Sequence, residues 1–189
     1  MVQTPRKVAV IGGSAAGSHI AAVCVLAGFD VNVQDIHEKT FEKNMEGISK
    51  RLQYEVGKDK ISWKKLDDSF AHLFFEPELE SAVKDRDFVI EAMTENLAAK
   101  TDMFKTIDAY APGHAIFATN SSTLVSSKIA DATGRPSQVC NLSIFNPAET
   151  VQGPHTSDET AEAVMDVARR LNNTSILLQE DNDRIIVES

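Results

Sequence analysis

Residues Val8, Ala9, Val10 and Ile11 are apolar without alternation, the pattern of a strand buried on both faces of a parallel sheet, and two glycines end the run. From Ser14 to Ala27 the residues are small or apolar and predict a helix. Gly28 stands where a C-terminal cap belongs, and Val31 to Gln34 forms a second extended run ending at Asp35. Together these make one βαβ unit. Phe41, Met45, Ile48 and Leu52 then recur at the three-and-four spacing of an amphipathic helix spanning His37 to Val56. Residues 57–69 are polar, with a short helix around Trp63 to Leu66. A short strand over Ala71 to Phe75 and a helical turn from Pro77 through Val83 follow. Asp87 to Glu91 is the next buried strand, Asn96 to Ala109 a helix, and Ala115 to Thr119 a strand entered through a Pro112-Gly113 turn. Leu124 to Ala132 reads as helix, Gln138 to Phe145 as extended, Asp158 to Leu171 as helix and Ser175 to Leu178 as extended.

This alternation predicts an α/β fold of the Rossmann type, a doubly wound, mostly parallel sheet with helices on both faces. In such a sheet ligands sit outside the carboxyl ends of the strands, so the residues just after Ile11, Gln34, Ile90, Ala118 and Leu142 are the first candidates for a site.

Composition narrows the classes without changing that picture. A chain of 189 residues is long enough for a substantial core and is read as one domain over 1–189, with no second domain. The net charge of −9 argues against a sequence-independent nucleic-acid binder. No apolar run approaches membrane-spanning length, and Met1 to Pro5 leads into the first strand without the pattern of a secretory signal. Cys24 and Cys140 read as small core residues, which fits a reducing, cytoplasmic location. His19, His37, His72, His114 and His155 show no ligand spacing, so no metal is expected.

The chemistry starts at the first turn. Gly12 allows the tight exit from the strand, and Gly17 lets the helix pack closely on the sheet. The amides of Gly13, Ser14, Ala15 and Ala16 lie where a pyrophosphate meets the positive end of a helix. Asp35 is placed to accept hydrogen bonds from a ribose hydroxyl. It repels a 2′-phosphate and no arginine follows it, so NAD is favoured over NADP. One departure stands out: the usual second glycine of a GxGxxG turn is Ser14, which adds a side chain where backbone normally approaches phosphate. A Rossmann-like unit that binds no dinucleotide stays open as the alternative.

Three later tracts carry a resemblance. Glu91-Ala-Met-Thr-Glu-Asn-Leu-Ala-Ala-Lys100, Thr119-Asn-Ser-Ser-Thr-Leu124 and Ile144-Phe-Asn-Pro147 occur in order and with family-like spacing, and with the glycine turn they resemble the NAD-binding domain of the 3-hydroxyacyl-CoA dehydrogenases. The resemblance covers nearly the whole chain. It implies an oxidoreductase of fatty acid metabolism that uses NAD and an acyl-CoA substrate, with no nucleic acid or membrane partner. Ala92, Glu95 and Lys100 match contacts to the nicotinamide half of NAD, and Asn120 a residue near the nicotinamide ribose. Asn146 matches the asparagine of the family's FNP tract, and Ser122 the serine that hydrogen-bonds the substrate's 3-hydroxyl. Read without the family, Glu95 and Lys100 are a solvated surface pair and Ser122 a helix cap. Lys58 stands roughly where relatives hold CoA, although a lone lysine in a polar loop is more often simply solvated.

The catalytic pattern then breaks. The family's general-base histidine, three residues before the FNP asparagine, is Ser143 here, and a serine hydroxyl is far too weak a base for that role unaided. The glutamate that orients the histidine has no counterpart by counting forward: the segment Ala148 to Gly153 is short, and Glu149 falls at the wrong offset. His155 is the nearest histidine downstream. Family members also continue into a helical domain that supplies dimer contacts and part of the acyl-CoA site, so a homo-oligomer or a separate helical partner is implied. Two functional readings remain beside the nucleotide-free one. The chain is the cofactor part of an NAD-dependent dehydrogenase, or it is a sensor or regulatory protein that keeps the NAD cradle without the proton-transfer group.

Overall fold

A computed structural model describes residues 4–58, 60–121, 126–144, 148–172, 175–181 and 184–186, to which the following account is confined. The strands are β1 (Lys7–Ile11), β2 (Asp30–Gln34), β3 (Leu73–Phe75), β4 (Phe88–Glu91), β5 (Ile116–Thr119), β6 (Val139–Ser143), β7 (Ala148–Gln152), β8 (Ser175–Asp181) and β9 (Arg184–Ile186). They form one sheet in the order β3-β2-β1-β4-β5-β6-β7-β8-β9. All neighbours are parallel except β6 with β7 and β8 with β9, which are antiparallel.

The helices are α1 (Ala15–Leu26), α2 (Glu38–Val56), α3 (Trp63–Phe70), α4 (Leu79–Val83), α5 (Leu97–Tyr110), α6 (Ser127–Ala130) and α7 (Asp158–Asn172). They cover both faces, because alternate residues of each buried strand point opposite ways. Val8 and Val10 of β1 join a core with Ile20, Cys24 and Val25 of α1 and Val164 and Val167 of α7. Ala9 and Ile11 join a second core with Phe104 and Ile107 of α5 and Ile129 of α6. That two-sided burial is why the strand sequence shows no polar alternation.

Two strands were not foreseen in the sequence, β7 and β9. No strand was assigned between Phe145 and Asp158, yet Ala148–Gln152 pairs with β6 on one side and β8 on the other. Ala148 and Thr150 are fully buried there, so the strand is defined by its neighbours rather than by its own five residues. The foreseen helix over Leu124 to Ala132 is observed as Ser127–Ala130, its earlier part lying outside the described residues. Burial pushes the Cys24 and Cys140 thiols up to about 12, so both are inert core groups. No described helix is long and apolar enough to cross a membrane.

The site is placed by the strand order. β1 lies between β2 and β4, which run parallel to it; β2 and β3 are added on one side of β1, and from β4 onward strands are added on the other. At such a switch point the loops leaving the two strands diverge to opposite faces and leave a crevice. The residues that open it are Gly12 and Ala92.

Candidate functional site

One wall of the crevice is mostly backbone. Gly12 has φ of +110°, a conformation that side chains disfavour, and a Cβ there would also approach the Ala92 carbonyl oxygen to 3.0 Å. At Gly17 a Cβ would lie 1.7 Å from the Gly12 carbonyl oxygen, so α1 can sit this close to the turn only with glycine at that position. The Gly13 peptide is held from three directions. Its amide donates to Asp35 Oδ2 at 2.6 Å, while its carbonyl accepts from Ser18 Oγ at 3.1 Å and Asn44 Nδ2 at 3.2 Å.

Asp35 is therefore fixed as well as acidic. Its second oxygen, Oδ1, accepts from the His37 amide at 2.9 Å. A carboxylate oxygen has two acceptor positions, so each retains one for a ribose hydroxyl. Ile36 beside it is 77% exposed and extends an apolar side chain at the same rim.

Ser14 does not project into this wall as the departure from GxGxxG suggested. With φ −61° and ψ 177° it is the N-cap of α1, and its hydroxyl accepts from the Gly17 amide at 3.4 Å. Ala15 and Ala16 are exposed at the first turn, and among the described residues their amides have no internal acceptor. That is the arrangement that binds a phosphate at a helix N-terminus.

The opposite wall is built from side chains. Glu91, at the end of β4, is fully buried, and Lys100 of α5 is 1% exposed. Lys100 Nζ donates to both Glu91 oxygens, at 2.6 and 2.8 Å, and to the Met93 carbonyl at 3.4 Å. The Thr119 hydroxyl and the Met93 amide complete the shell of Glu91 at 2.6 and 2.5 Å. Lys100 is thus neither a solvated surface lysine nor paired chiefly with Glu95, whose carboxylate lies 4.0 Å away. The ammonium acts on the crevice from behind, by shaping the turn that follows β4.

Glu95 stands forward of that pair, its side chain 43% exposed, and takes the Ser121 hydroxyl on its two oxygens at 2.9 and 2.8 Å. The Asn120 amide donates to the Glu91 carbonyl at 2.8 Å, and its Oδ1 accepts from the Ile144 amide at 3.3 Å, tying the end of β5 to the end of β6. Ala92 is 7% exposed and lines the floor next to Gly12. Gly12, Gly13, Ser14, Ala15, Ala16, Gly17 and Asp35 thus come together on one side of the switch point, and Ala92, Glu95 and Asn120 on the other. Ser122 and Asn146 lie outside the described residues.

Ser143 ends β6 half-buried, and its register partner across the antiparallel pair is Glu149. Directly opposed residues of an antiparallel pair share a face, with Cβ atoms about 4.5–5.5 Å apart. Counting forward from the FNP tract hid this relation, because the pairing of two strands sets it. His155 is removed from the site by the same pairing. β7 runs away from Ser143 toward the start of β6, where the Thr156 hydroxyl donates to the Val139 carbonyl, and His155 lies 3.4 Å from Asp131. His114 is likewise at the amino ends of the strands, 3.0 Å from Asp87. Lys58 stands over the Tyr54 ring at 4.2 Å from its centroid.

Comparison with known proteins agrees with this geometry. The 3-hydroxyacyl-CoA dehydrogenase NAD-binding domain family matches residues 7–181. The "Probable 3-hydroxybutyryl-CoA dehydrogenase" of Bacillus subtilis is 34% identical over 177 residues, which are 90% of this chain and 61% of the relative. The human mitochondrial hydroxyacyl-coenzyme A dehydrogenase is 34% identical over 178 residues, 88% of this chain and 56% of the relative. The crystal structure of (S)-3-hydroxybutyryl-CoA dehydrogenase from Ralstonia eutropha superposes with a TM-score of 0.88 at 26% identity, covering 97% of this chain and 66% of that one. The chain therefore spans a little over half to two thirds of these relatives' length.

Proposed function

Because the chain belongs to the NAD-binding domain family of the 3-hydroxyacyl-CoA dehydrogenases, we propose that it is the cofactor-holding part of an enzyme that moves hydride between NAD and carbon 3 of a 3-hydroxyacyl-CoA. The observation that carries this reading is the two-walled crevice at the β1–β4 switch point. It has a fixed ribose-accepting carboxylate and open helix amides on one wall, and Glu95 and Asn120 on the other.

Bound there, NAD supplies the hydride acceptor or donor. The chain's own residues would hold it. The Ala15 and Ala16 amides face the pyrophosphate, Asp35 takes the adenosine ribose hydroxyls, and Glu95 and Asn120 orient the nicotinamide half, with Lys100 setting the turn behind them. Ser122 and Asn146 remain proposed on the resemblance, as contacts to the substrate hydroxyl and the FNP loop. An acyl-CoA substrate, and a second copy or a helical partner to complete its site, are part of the proposal. The two buried, unpaired cysteines support a reducing compartment such as the cytoplasm.

The test begins with an NADH titration of the protein beside Asp35→Ala, in which loss of the carboxylate is expected to weaken binding about tenfold or more. It continues with NADH oxidation in the presence of acetoacetyl-CoA, with and without a helical-domain partner. Binding that is indifferent to Asp35 would remove the cradle, and absence of turnover in every combination would remove the dehydrogenase.

Ser143 favours a second reading, an NAD-responsive protein that does not turn over. Glu149 gives that alternative a direct test. A histidine introduced by Ser143→His would share a face with a carboxylate able to orient it. If the chain is a dehydrogenase scaffold lacking only its base, the variant gains about 10²- to 10⁴-fold in rate. No gain, with NADH binding intact, supports the sensor.

A further inference from the structure

Asn141 sits in the middle of β6 and is 1% exposed. Its amide is spent on the crevice wall. Oδ1 accepts from the Ser126 amide at 2.6 Å, and Nδ2 donates to the Ser121 carbonyl at 3.3 Å. Both groups of one planar side chain thus grip the residues on either side of 122–125. The strand itself is anchored, since Asn141 is the register partner of Thr119, whose hydroxyl is bonded to Glu91. Ser121, 3% exposed, passes the constraint on, because its hydroxyl is what holds the half-exposed Glu95 carboxylate.

We propose that Asn141 is a positioning residue for the nicotinamide half of NAD, acting through Ser121 to aim Glu95. The inference rests on the NAD reading of the crevice. A buried aliphatic residue would fill the same volume, but it would leave the Ser126 amide and the Ser121 carbonyl to find other partners and would loosen the hold on Ser121. An asparagine supplies one acceptor and one donor at fixed separation, which is what holding the Ser126 amide and the Ser121 carbonyl together requires. Among the described residues the constraint falls on one wall: Asn141 bonds Ser126 and Ser121, while Gly13 is held by Asp35.

The separation of the walls supplies the experiment. NADH and ADP are titrated into the wild type, Asn141→Ala, Ser121→Ala and the double variant, with thermal melting of each. NADH reads both walls and ADP only the first. Expected is a weakening of NADH binding by about tenfold in Asn141→Ala, the worth of one well-placed hydrogen bond, with ADP binding unchanged within about twofold. Ser121→Ala should show the same split, and adding it to Asn141→Ala should weaken NADH little further, since the two act in series. A purely structural role would lower the melting temperature and weaken NADH and ADP together, which overturns the proposal, as does unchanged NADH binding in a folded Asn141→Ala. Should that variant not fold, Ser121→Ala decides: unchanged NADH binding there overturns the proposal equally. Wild-type protein that binds neither ligand refutes the NAD reading itself, an outcome distinct from the others.

Discussion

The two walls of the crevice are held by different forces. On the β1–α1–β2 side, shape comes from what side chains leave out: Gly12 takes φ of +110° and Gly17 lets α1 approach to where a Cβ would strike the Gly12 carbonyl. On the β4–β5–β6 side, shape comes from what side chains put in, a sealed cluster of Glu91, Lys100 and Thr119 with Ser121 and Asn141 beside it. The first wall is a backbone surface ready for a pyrophosphate, and the second a side-chain scaffold that presents the half-exposed Glu95 carboxylate. A wall made by omission fails when something is added. A wall made of paired charges fails when one partner is taken away.

The largest effect should therefore come from Lys100→Met. It keeps the side-chain volume but leaves the fully buried Glu91 carboxyl group with only the Thr119 hydroxyl and the Met93 amide. Breaking a buried pair from one side costs about 3–5 kcal/mol, a fall in Tm on the order of 10 °C for a chain of this size. The double variant Glu91→Gln/Lys100→Met should recover much of that loss, because no buried charge is left over. Melting curves of the two variants decide the matter. A Lys100→Met protein as stable as wild type would mean that water reaches the pair, and the contrast between the walls would collapse.

Gly17→Ala attacks the other wall. Its Cβ falls 1.7 Å from a backbone oxygen, so the turn and helix must move apart. Overpacking of this kind costs about 1–3 kcal/mol, offset by the roughly 1 kcal/mol that alanine gains over glycine in a helix. The net loss of stability should be smaller than for Lys100→Met. ADP binding should nonetheless be lost, since the Ala15 and Ala16 amides move with the helix start. An ADP titration beside a melting curve separates the two, and preserved ADP affinity would show that the close approach of α1 is dispensable.

This contrast also explains how much could be read from the sequence. The glycines and Asp35 of the first wall lie within residues 7–35 at fixed intervals, and local pattern was enough to place them, though not the cap role of Ser14 or the hold of Ser18 and Asn44 on the Gly13 carbonyl. The second wall draws on β4, β5, β6 and α5, whose neighbourhood is created by the sheet order. Lys100 looked like a surface lysine because only the fold shows that the end of β4 lies beneath it. Glu149 looked misplaced because its distance from Ser143 was counted along the chain, whereas the antiparallel pairing of β6 with β7 brings the two into register. Asn141 gave no signal at all: an asparagine in an apolar run becomes meaningful only when its partners, Ser121 and Ser126, are known. The fold class survived these gaps because two-sided strand burial writes itself into each strand separately.

Ser14→Gly gives the smallest effect and the sharpest view of the first wall. If the serine side chain obstructed the phosphates, restoring glycine would tighten NADH by a factor of ten or more. Its hydroxyl is instead turned back onto the Gly17 amide as the cap of α1, and the amides of Ala15 and Ala16 are exposed with the serine in place. Removing a serine cap in favour of glycine costs only a few tenths of a kcal/mol, because glycine also tolerates the cap position. The 3.4 Å cap bond is long, which places the loss at the low end. NADH affinity should therefore change by less than about threefold, well under 1 kcal/mol, and the melting temperature by about a degree or less. A large gain in NADH binding would mean that this wall, too, depends on a side chain, and the division between a backbone wall and a side-chain wall would have to be redrawn at its first residue.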